Sequence, residues 1–310
     1  MKGTAVERHL ESVGGGLAVE TGEEYLVRPL RDRARIREML ESRRAYAAYA
    51  LGQLEPRLFV ASQWWLAEGP RGQALLVHAR GGLGHALLAL GDAPALDALL
   101  RLHPGPRQTF ATCLAEHLPV MVHYFYLSQQ QPMIRMQVAA ETFRPPTRPS
   151  VRLHGRDART INRLYSSEGA NSSYTASQVE EGIYHGIYVD GRLAAVAGTH
   201  GVSASYGVAV VGNVYTHPHY RGRGLGGAVT GAVTAEALER CPLVVLSVDP
   251  RNRAAVRAYQ RLGYREECRL IEAAATRRDL VGLAPVLRRL VAGLRGRRQG
   301  GALVRLSGEP

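Results

Sequence analysis

The clearest hydrophobic pattern lies in the second half of the chain. Val208 to Val214 form an uncharged run rich in β-branched residues, which is typical of a strand buried on both faces. Pro218 ends this strand, and Ala228 to Glu239, without proline, predict a helix. A second apolar run, Leu243 to Val248, predicts another strand, and a further helix is predicted between Asn252 and Gly263. The order is therefore strand, helix, strand, helix.

Shorter elements precede and follow this core, and Asp190-Gly191 favours a tight hairpin turn. They are predicted as strands at 151–153, 183–189, 192–199 and 267–272, helices at 158–165 and 178–182, and a polar loop, SSEGANSSYTASQ, between these helices. A short helix is also predicted within 280–294, where leucines recur at helical intervals and Pro285 prevents a long helix. This segment packs on the domain or, alternatively, binds a membrane surface.

The first half has a similar order of patterns. The predicted elements are an amphipathic helix at 31–50, strands at 58–67, 74–79 and 85–90, a helix at 93–102, and strands at 120–127 and 133–143 linked as a hairpin through 129–132. The similarity of this order to that of the second half suggests a tandem repeat in which the first unit is a degenerate copy of the second. Alternatively, the order is only that of an ordinary α+β domain.

These patterns predict the domain organisation. The segments are a disordered lead at 1–24, an α+β domain at 25–144, a linker at 145–149 in the proline-rich FRPPTRP, a catalytic domain at 150–275, and a basic helix and tail at 276–310.

A glycine cluster lies at the start of the helix that follows the buried strand. Gly222, Gly224, Gly226 and Gly227 remove side chains from the first turn, where free N–H groups and the helix dipole attract anions. The cluster predicts a diphosphate site, or simply a flexible turn. A dinucleotide-binding fingerprint also fits the glycine spacing. That interpretation is disfavoured because THPHYR separates the strand from the glycines and no acidic residue ends a strand about 20 positions on. The corresponding loop of the first half, GDAPALDALL, lacks such a cluster, so we expect no equivalent diphosphate site there.

Two motifs, each after a predicted strand, identify a family. They are Arg221-x-x-Gly224-x-Gly226 and Asn252-x-x-Ala255-x-x-x-Tyr259-x-x-x-Gly263-Tyr264. Together they resemble the acyl-CoA-binding core of the GNAT superfamily of N-acyltransferases over residues 150–272. The resemblance implies an α/β (α+β) fold with a mixed, mostly antiparallel sheet flanked by helices, present either once or in tandem.

The resemblance also implies the co-substrate, acetyl-CoA, and its binding residues. These are Val214, Tyr215, Thr216, Arg221, Gly222, Arg223, Gly224, Leu225, Gly226, Gly227 and Asn252. Backbone groups of 214–216 would pair with the pantetheine arm, and the amides of 222–227 would hold the diphosphate, with Arg221 and Arg223 either adding charge or remaining solvated. Asn252 would bind pantetheine or simply cap its helix.

Tyr259 is the expected catalytic residue, a general acid for the departing thiolate. The alternative is a core tyrosine whose hydroxyl is satisfied elsewhere. The resemblance implies direct attack of an amine in a ternary complex, without a covalent enzyme intermediate. The base is left open because the strand from Tyr206 to Thr216 has no carboxylate, whereas many relatives place a glutamate there. The alternatives are a water relay, loss of activity, or one of Glu168, His200, His217 and His219.

Composition narrows the function classes. The net charge of +12 and pI near 10.0 would suit a nucleic-acid binder, but residues 276–310 contribute eight arginines against two acids, 8 − 2 = +6. We therefore expect a protein that holds polyanionic CoA, and nucleic acid is disfavoured as a partner. No apolar run approaches 18 residues and the N-terminus has no signal-peptide pattern, which predicts a cytoplasmic protein. The three cysteines have no metal spacing, so no metal is expected.

The predicted function is transfer of an acetyl group from acetyl-CoA to a primary amine, on a small molecule or a peptide. The alternative is a catalytically inactive acyl-CoA-binding sensor or interaction protein. The amine, the length of the acyl group and the oligomeric state are left open by the sequence.

Overall fold

The computed structural model of the chain has a mixed sheet with helices on both faces, as the sequence predicts. Two neighbouring strand pairs are parallel, and the antiparallel pairs outnumber them. The structure describes residues 23–81, 84–168, 173–279, 281–294, 297–298 and 301–306. The statements below concern these residues.

Fourteen strands in the described residues form a single sheet. They are β1 (Glu23–Pro29), β2 (Gln63–Gly69), β3 (Gly72–Gly81), β4 (Gly84–Gly91), β5 (Gln108–Cys113), β6 (Phe125–Val138), β7 (Val151–Arg152), β8 (His185–Val189), β9 (Arg192–Ser203), β10 (Val208–Thr216), β11 (Leu243–Val248), β12 (Arg265–Arg277), β13 (Arg297–Arg298) and β14 (Gly301–Leu306).

Ten α-helices in the described residues connect or cover these strands. They are α1 (Arg33–Glu41), α2 (Ala48–Gly52), α3 (Pro56–Ala61), α4 (Ala93–Leu102), α5 (Leu118–Tyr124), α6 (Ala158–Tyr165), α7 (Ala176–Glu181), α8 (Leu225–Leu238), α9 (Arg253–Arg261) and α10 (Leu283–Leu294). The predicted amphipathic helix at 31–50 is formed in part by α1. Asp32 caps α1 by accepting hydrogen bonds from two backbone amides, and Ile36 and Leu40 are buried.

The strand order reveals an internal pseudo-twofold relation. From one side the order is β1-β2-β3-β4-β5-β12, and from the other it is β7-β8-β9-β10-β11-β6. Equivalent pairs have the same direction, including the parallel pairs β4/β5 and β10/β11. Each half therefore has the same topology. This arrangement favours the tandem interpretation over an unrelated α+β domain.

The two halves exchange their last strands at the centre of the sheet. β6, from the first half, pairs with β11 and places Arg135 opposite Ser247. β12, from the second half, pairs with β5 and places Glu272 opposite Thr112. Because each exchanged strand completes the sheet of the other half, residues of both halves meet on one face.

The first half has its own potential cleft, between β4 and β5, but a side chain fills it. Tyr46 is 1% exposed, and its hydroxyl donates to the carbonyl of Ala89 at 2.6 Å and lies 3.4 Å from that of Thr112. At the start of α4, Asp92 stands where the second half has glycines, and its carboxylate accepts from the Gln73 amide at 3.0 Å. A blocked gap and a negative charge give a physical reason for expecting no diphosphate site in this half.

We expect Tyr46→Phe to lower the free energy of unfolding by about 1 to 2 kcal/mol, because the buried carbonyl of Ala89 loses its hydrogen-bond donor. The KM for acetyl-CoA should be unchanged if only the second half binds it. Denaturant unfolding and steady-state kinetics would check both expectations. Tyr126→Phe, at a residue that is 57% exposed, is the control and should leave stability unchanged. A raised KM in Tyr46→Phe would contradict a purely structural role.

Several predicted elements of the first half are wrong. Residues 58–61 belong to helix α3, so the predicted strand at 58–67 begins only at β2. The predicted strand at 120–127 is mostly helix α5, and the predicted hairpin through 129–132 is instead the middle of one 14-residue strand, β6. The apolar residues of these short helices pack as well in a helix as in a strand, and periodicity does not separate the two over so few residues.

The chain ends also differ from expectation. Residues 1–22 of the predicted lead lie outside the described residues, and β1 starts at Glu23. β14, within the predicted basic tail, was not predicted and pairs with β1. Helix α10 contacts α4, with the Arg289 guanidinium donating to the Leu102 carbonyl at 2.7 Å, while Leu287 remains 59% exposed. In the described part of the chain, no helix has both the length and the apolar character needed to cross a membrane.

Candidate active site

The strands β10 and β11 separate at the centre of the second half. Their parallel pairing ends at Val211 and Leu246, while both strands continue beyond it. Asn213 has a φ of 53°, and the register of β10 with β9 shifts between Gly212 and Tyr215. Such a bulge bends a strand away from its neighbour. An open cleft results between β10 and β11.

Side chains on the far side of β10 hold this bulge in place. Tyr165 donates from its hydroxyl to the carbonyl of Asn213 at 2.7 Å, and the Asn213 side-chain amide donates to the Tyr184 hydroxyl at 3.1 Å. Burial raises the pKa of Tyr165 and raises that of Tyr184 to about 12, so both phenols stay protonated at neutral pH. These bonds stabilise the separation that opens the cleft.

Helix α8 begins with bare backbone. Gly222 and Gly224 have φ values of 78° and 75°, in the left-handed region that favours glycine, and a Cβ added at either position would meet no atom within 4 Å. No side chain caps the helix at Gly224. The first-turn amides of Leu225, Gly226 and Gly227 therefore have no side-chain cap, and the positive end of the helix dipole lies at this turn. This arrangement fits a diphosphate.

The two arginines of the glycine loop have other partners. Arg221 forms an ion pair with Glu168 and donates from Nε to the Thr216 carbonyl at 3.1 Å. The Arg223 guanidinium stacks over the ring of Tyr220 at 5.4 Å. A third arginine, Arg148, was not predicted near this site and lies 3.4 Å from the Arg223 carbonyl. Three arginines thus lie at the loop, and the charge of Arg221 is paired with that of Glu168.

A cavity of about 510 Å³ extends from the cleft into a chamber on the face covered by α2. At the cleft end, its wall includes Val214, Asn252 and Tyr259. In the chamber, the first half supplies apolar walls from β3, β4, β5 and α2, namely Val77, Ala79, Ala86, Leu88, Phe110, Tyr49 and Ala50. The exchanged strands add polar groups, Arg135 and Glu272. The sequence did not predict that the first half lines this cavity.

Of the predicted site residues, Tyr259 and Asn252 both border the cavity. Tyr259 is 7% exposed, and burial raises the pKa of its hydroxyl to about 12, so it stays a proton donor at neutral pH. Asn252 caps α9, with Oδ1 accepting from the Ala255 amide at 3.1 Å. The capping role expected as one alternative for Asn252 is therefore observed. Tyr215 points elsewhere, and its ring packs against Tyr165 at 4.9 Å.

His200 is the one of the four candidate bases that lines the cavity in the described structure. It lies where the register of β9 with β10 shifts, and its ring packs over Gly212, where a Cβ would be 2.0 Å from Nε2. The His200 side chain is exposed at the cavity wall, where desolvation by the surrounding protein, together with the Arg135 charge, lowers its pKa to about 4. His200 is thus neutral at pH 7 and only weakly basic.

The other three candidates lie outside the cavity wall. Glu168 accepts hydrogen bonds from Arg221 and Tyr215, which lower its pKa, so it is an ionised partner of the glycine loop. His217 accepts from the His219 amide in the turn after β10. His219 is exposed. None of these three is placed to receive a proton in the chamber.

Arg135 and Glu272 are polar residues of the chamber that the sequence analysis missed. Arg135 is 4% exposed, and its guanidinium makes no hydrogen bond or ion pair with any described residue. Burial lowers the pKa of Arg135, and the charge of Glu272 opposes that shift. Glu272 accepts from the Ser247 hydroxyl at 3.0 Å. For Arg135, the signal available in the sequence was a charged residue between two apolar neighbours, Ile134 and Met136, in a predicted strand.

Comparison with protein families matches residues 150–264 to the acetyltransferase (GNAT) family. No match was found among curated proteins. Similar solved structures include a GCN5-related N-acetyltransferase from Kribbella flavida, 19% identical, covering 74% of this chain and 95% of that one, with a TM-score of 0.53. Another is a tandem GNAT protein of the clavulanic acid biosynthesis pathway, 16% identical, covering 82% and 98%, with a TM-score of 0.50. A GNAT-family protein from Novosphingobium aromaticivorans is 21% identical, covering 65% and 88%, with a TM-score of 0.51.

Proposed function

We propose, with the membership of residues 150–264 in the GNAT acetyltransferase family as the premise, that this chain transfers the acetyl group of acetyl-CoA to a primary amine. The observation that supports this most is the continuity of the cleft between β10 and β11 with a chamber lined by both halves. A thioester carrier that enters between the strands would present its acyl group inside that chamber.

Backbone groups of the second half would hold the carrier. The free amides at the start of α8 suit the diphosphate. Val214, Tyr215 and Thr216 lie beyond the last residues of β10 that pair with β11, so this edge of β10 is open to a pantetheine arm, which would bind like an added strand. The Thr216 carbonyl already accepts a hydrogen bond from Arg221. The Val214 amide is the proposed hydrogen-bond donor to the thioester oxygen, where negative charge develops during attack.

The proposed reaction is direct attack of the amine nitrogen on the thioester carbon. The new C–N bond replaces the C–S bond, the sulfur leaves with the electron pair, and the nitrogen loses one proton. Tyr259, protonated because burial raises its pKa to about 12, would donate a proton to the sulfur. The proton of the nitrogen would leave through cavity water beside His200, whose neutral ring can accept a hydrogen bond.

A second function, acyl-CoA binding without turnover, is favoured by one observation. β10 has no carboxylate, and the histidine nearest the cleft has a pKa lowered to about 4, which makes it a poor base at neutral pH. A protein that kept the cleft but lost the base would act as a sensor or an interaction module.

One experiment separates the two functions. The protein is incubated with acetyl-CoA and a panel of primary amines, and release of the CoA thiol is followed, while calorimetry measures CoA binding. Amine-dependent thiol release supports the transferase. Binding without release supports the sensor, and the absence of any binding heat would contradict both.

We expect His200→Gln to lower kcat by about 10-fold, near or below the low end of general-base effects, because a weak base contributes less than one with a pKa near 7. For the same reason the enzyme should lose no activity to protonation of His200 between pH 8 and pH 5. Its neutral form is lost only as the pH falls through about 4. The pH profile of kcat/KM would check this when it is measured for wild type, for His200→Gln and for the control His219→Gln, at a histidine outside the cavity. An acidic limb near pH 6.5 that disappears in His200→Gln would contradict the lowered pKa.

A further inference from the structure

The chamber contains a buried cation without a partner. Arg135 is 4% exposed and lines the cavity, and its Nε is buried without a hydrogen-bond acceptor among the described residues. None of the described carboxylates forms an ion pair with its guanidinium. Burying an unpaired charge is strongly unfavourable, and native proteins seldom leave one unsatisfied. The position therefore needs an anion that the folded chain itself does not supply.

Strand pairing places Arg135 close to the cleft. β6 pairs with β11, which places Arg135 opposite Ser247. Ser247 precedes Val248, the last residue of β11, and both line the cavity where β11 forms one wall of the cleft. An anion bound by the guanidinium would thus lie near the inner end of the cleft. A guanidinium binds a carboxylate in a planar, two-point geometry.

A carboxylate of the chain lies nearby but is engaged elsewhere. Glu272, on β12, accepts a hydrogen bond from the Ser247 hydroxyl and makes no ion pair with Arg135. The chamber therefore contains one cationic and one anionic side chain, Arg135 and Glu272, that do not form an ion pair with each other. A zwitterion, with a carboxylate for Arg135 and an ammonium attracted by Glu272, complements this arrangement.

The rest of the chamber wall is apolar. Val77, Ala79, Leu88, Phe110 and Met133 surround the polar groups. A ligand in contact with them gains affinity by burying its hydrocarbon surface. Small, fully polar zwitterions would leave this surface unused, so an apolar or aromatic body fits it better.

We propose that Arg135 binds a carboxylate of the substrate, so that the acceptor is an amine with a carboxylate and an apolar body, in the manner of an apolar amino acid. This inference rests on the proposed acetyl transfer. The same carboxylate could instead be part of the acyl group, as in a dicarboxylic acyl-CoA, and the two sources are distinguished below.

The test compares matched amines with acetyl-CoA as the donor: phenylalanine, phenylalaninamide and phenethylamine. We expect kcat/KM for phenylalanine to exceed that for the other two by on the order of 30-fold, in the range of hydrogen bonds to charged groups. Arg135→Met should remove this preference by lowering kcat/KM for phenylalanine, mainly through a higher KM, much more than it lowers kcat/KM for phenethylamine. Arg269→Met, at an exposed arginine of β12, is the control and should keep the preference.

A parallel arm compares succinyl-CoA with acetyl-CoA, each with phenethylamine. A preference for succinyl-CoA that is lost in Arg135→Met would assign the carboxylate to the acyl group. No preference in either arm, or preferences unchanged in Arg135→Met, would overturn the inference. Arg135→Lys, which keeps the charge without the planar fork, is the second variant if Arg135→Met fails to fold, and we expect an intermediate loss of about 5-fold.

Binding measurements separate this inference from the proposed function. Calorimetry with phenylalanine, in the presence of CoA, is performed on wild type and Arg135→Met. Heat that appears only with wild type supports the carboxylate site even if no amine is acetylated. Equal heats, or none with wild type while phenethylamine is acetylated, would refute a site for the carboxylate of the acceptor and leave acetyl transfer intact.

Discussion

Replacing Tyr259 by phenylalanine is expected to lower kcat by about 100-fold, the low end of general-acid effects. The ring is 7% exposed at the wall of the cavity, so removal of one oxygen leaves its packing nearly unchanged. Affinity for CoA should therefore stay within about 2-fold of wild type. The loss appears in kcat because the proton is needed only when the C–S bond breaks.

The raised pKa of Tyr259 defines how this loss depends on pH. Burial holds the hydroxyl protonated, with a pKa of about 12, so the acid form is complete across the ordinary assay range. We expect the ratio of wild-type to variant kcat to be constant from pH 6 to pH 9. A ratio that falls toward 1 near pH 9 would show a much lower pKa than the structure indicates.

Tyr264→Phe is the matched control for this prediction. Its hydroxyl lies 2.7 Å from the Thr234 hydroxyl in the core between α8 and α9, and its side chain is 2% exposed. The variant should lose about 1 kcal/mol of stability with kcat preserved. Full activity in Tyr259→Phe, or equal losses of kcat in the two variants, would remove Tyr259 from the mechanism.

The elements proposed to hold the carrier were predictable because their signals are local. The run from Leu243 to Val248 forms β11 with those bounds, and Asp190-Gly191 adopts the positive φ values of 50° and 73° that a tight hairpin needs. The glycines at the start of α8 and the Asn252 cap of α9 are likewise evident from short stretches of adjacent residues. Each of these signals requires only a few neighbouring positions to be interpreted.

The chamber was not predictable in the same way because it is made by distant pairing. Arg135 reaches β11 only because β6 and β12 are exchanged between the halves, and Tyr46 closes the first-half cleft from a separate segment. Hydrophobic periodicity has no information about which strands become neighbours. The role of the first half was therefore left open by the sequence, whereas its strands and α2 form much of the chamber wall.

The exchange also brings residues of the first half to the proposed active site. Its own cleft is closed by Tyr46, yet its sheet supplies Phe110 and Arg135 to the chamber beside the open cleft of the second half. In the proposed reaction, the second half would bind the carrier and the first half would form part of the acceptor site. Changes in the first half should accordingly alter acceptor KM more than acetyl-CoA KM.

Substitution of Gly224 by aspartate is expected to raise the dissociation constant for CoA by about 100-fold. Gly224 precedes the first turn of α8 with a φ of 75°, and an added Cβ meets no atom within 4 Å, so a side chain there would extend into the space proposed for the diphosphate. Like charges forced together cost several kcal/mol, and about 3 kcal/mol corresponds to 100-fold in affinity.

Gly224→Asn is the matched control, because asparagine and aspartate have nearly the same shape and both tolerate a left-handed backbone better than other side chains. Its effect on CoA affinity should stay below about 5-fold, so the difference between the two variants isolates the charge. Because aspartate near a helix N-terminus favours the helix dipole, Gly224→Asp should be no less stable than Gly224→Asn. Calorimetry at low and high salt would measure both affinities, and the gap should narrow as salt screens the charges. Equal affinities of the two variants at low salt would place the diphosphate away from α8 and remove the basis for carrier binding in this cleft.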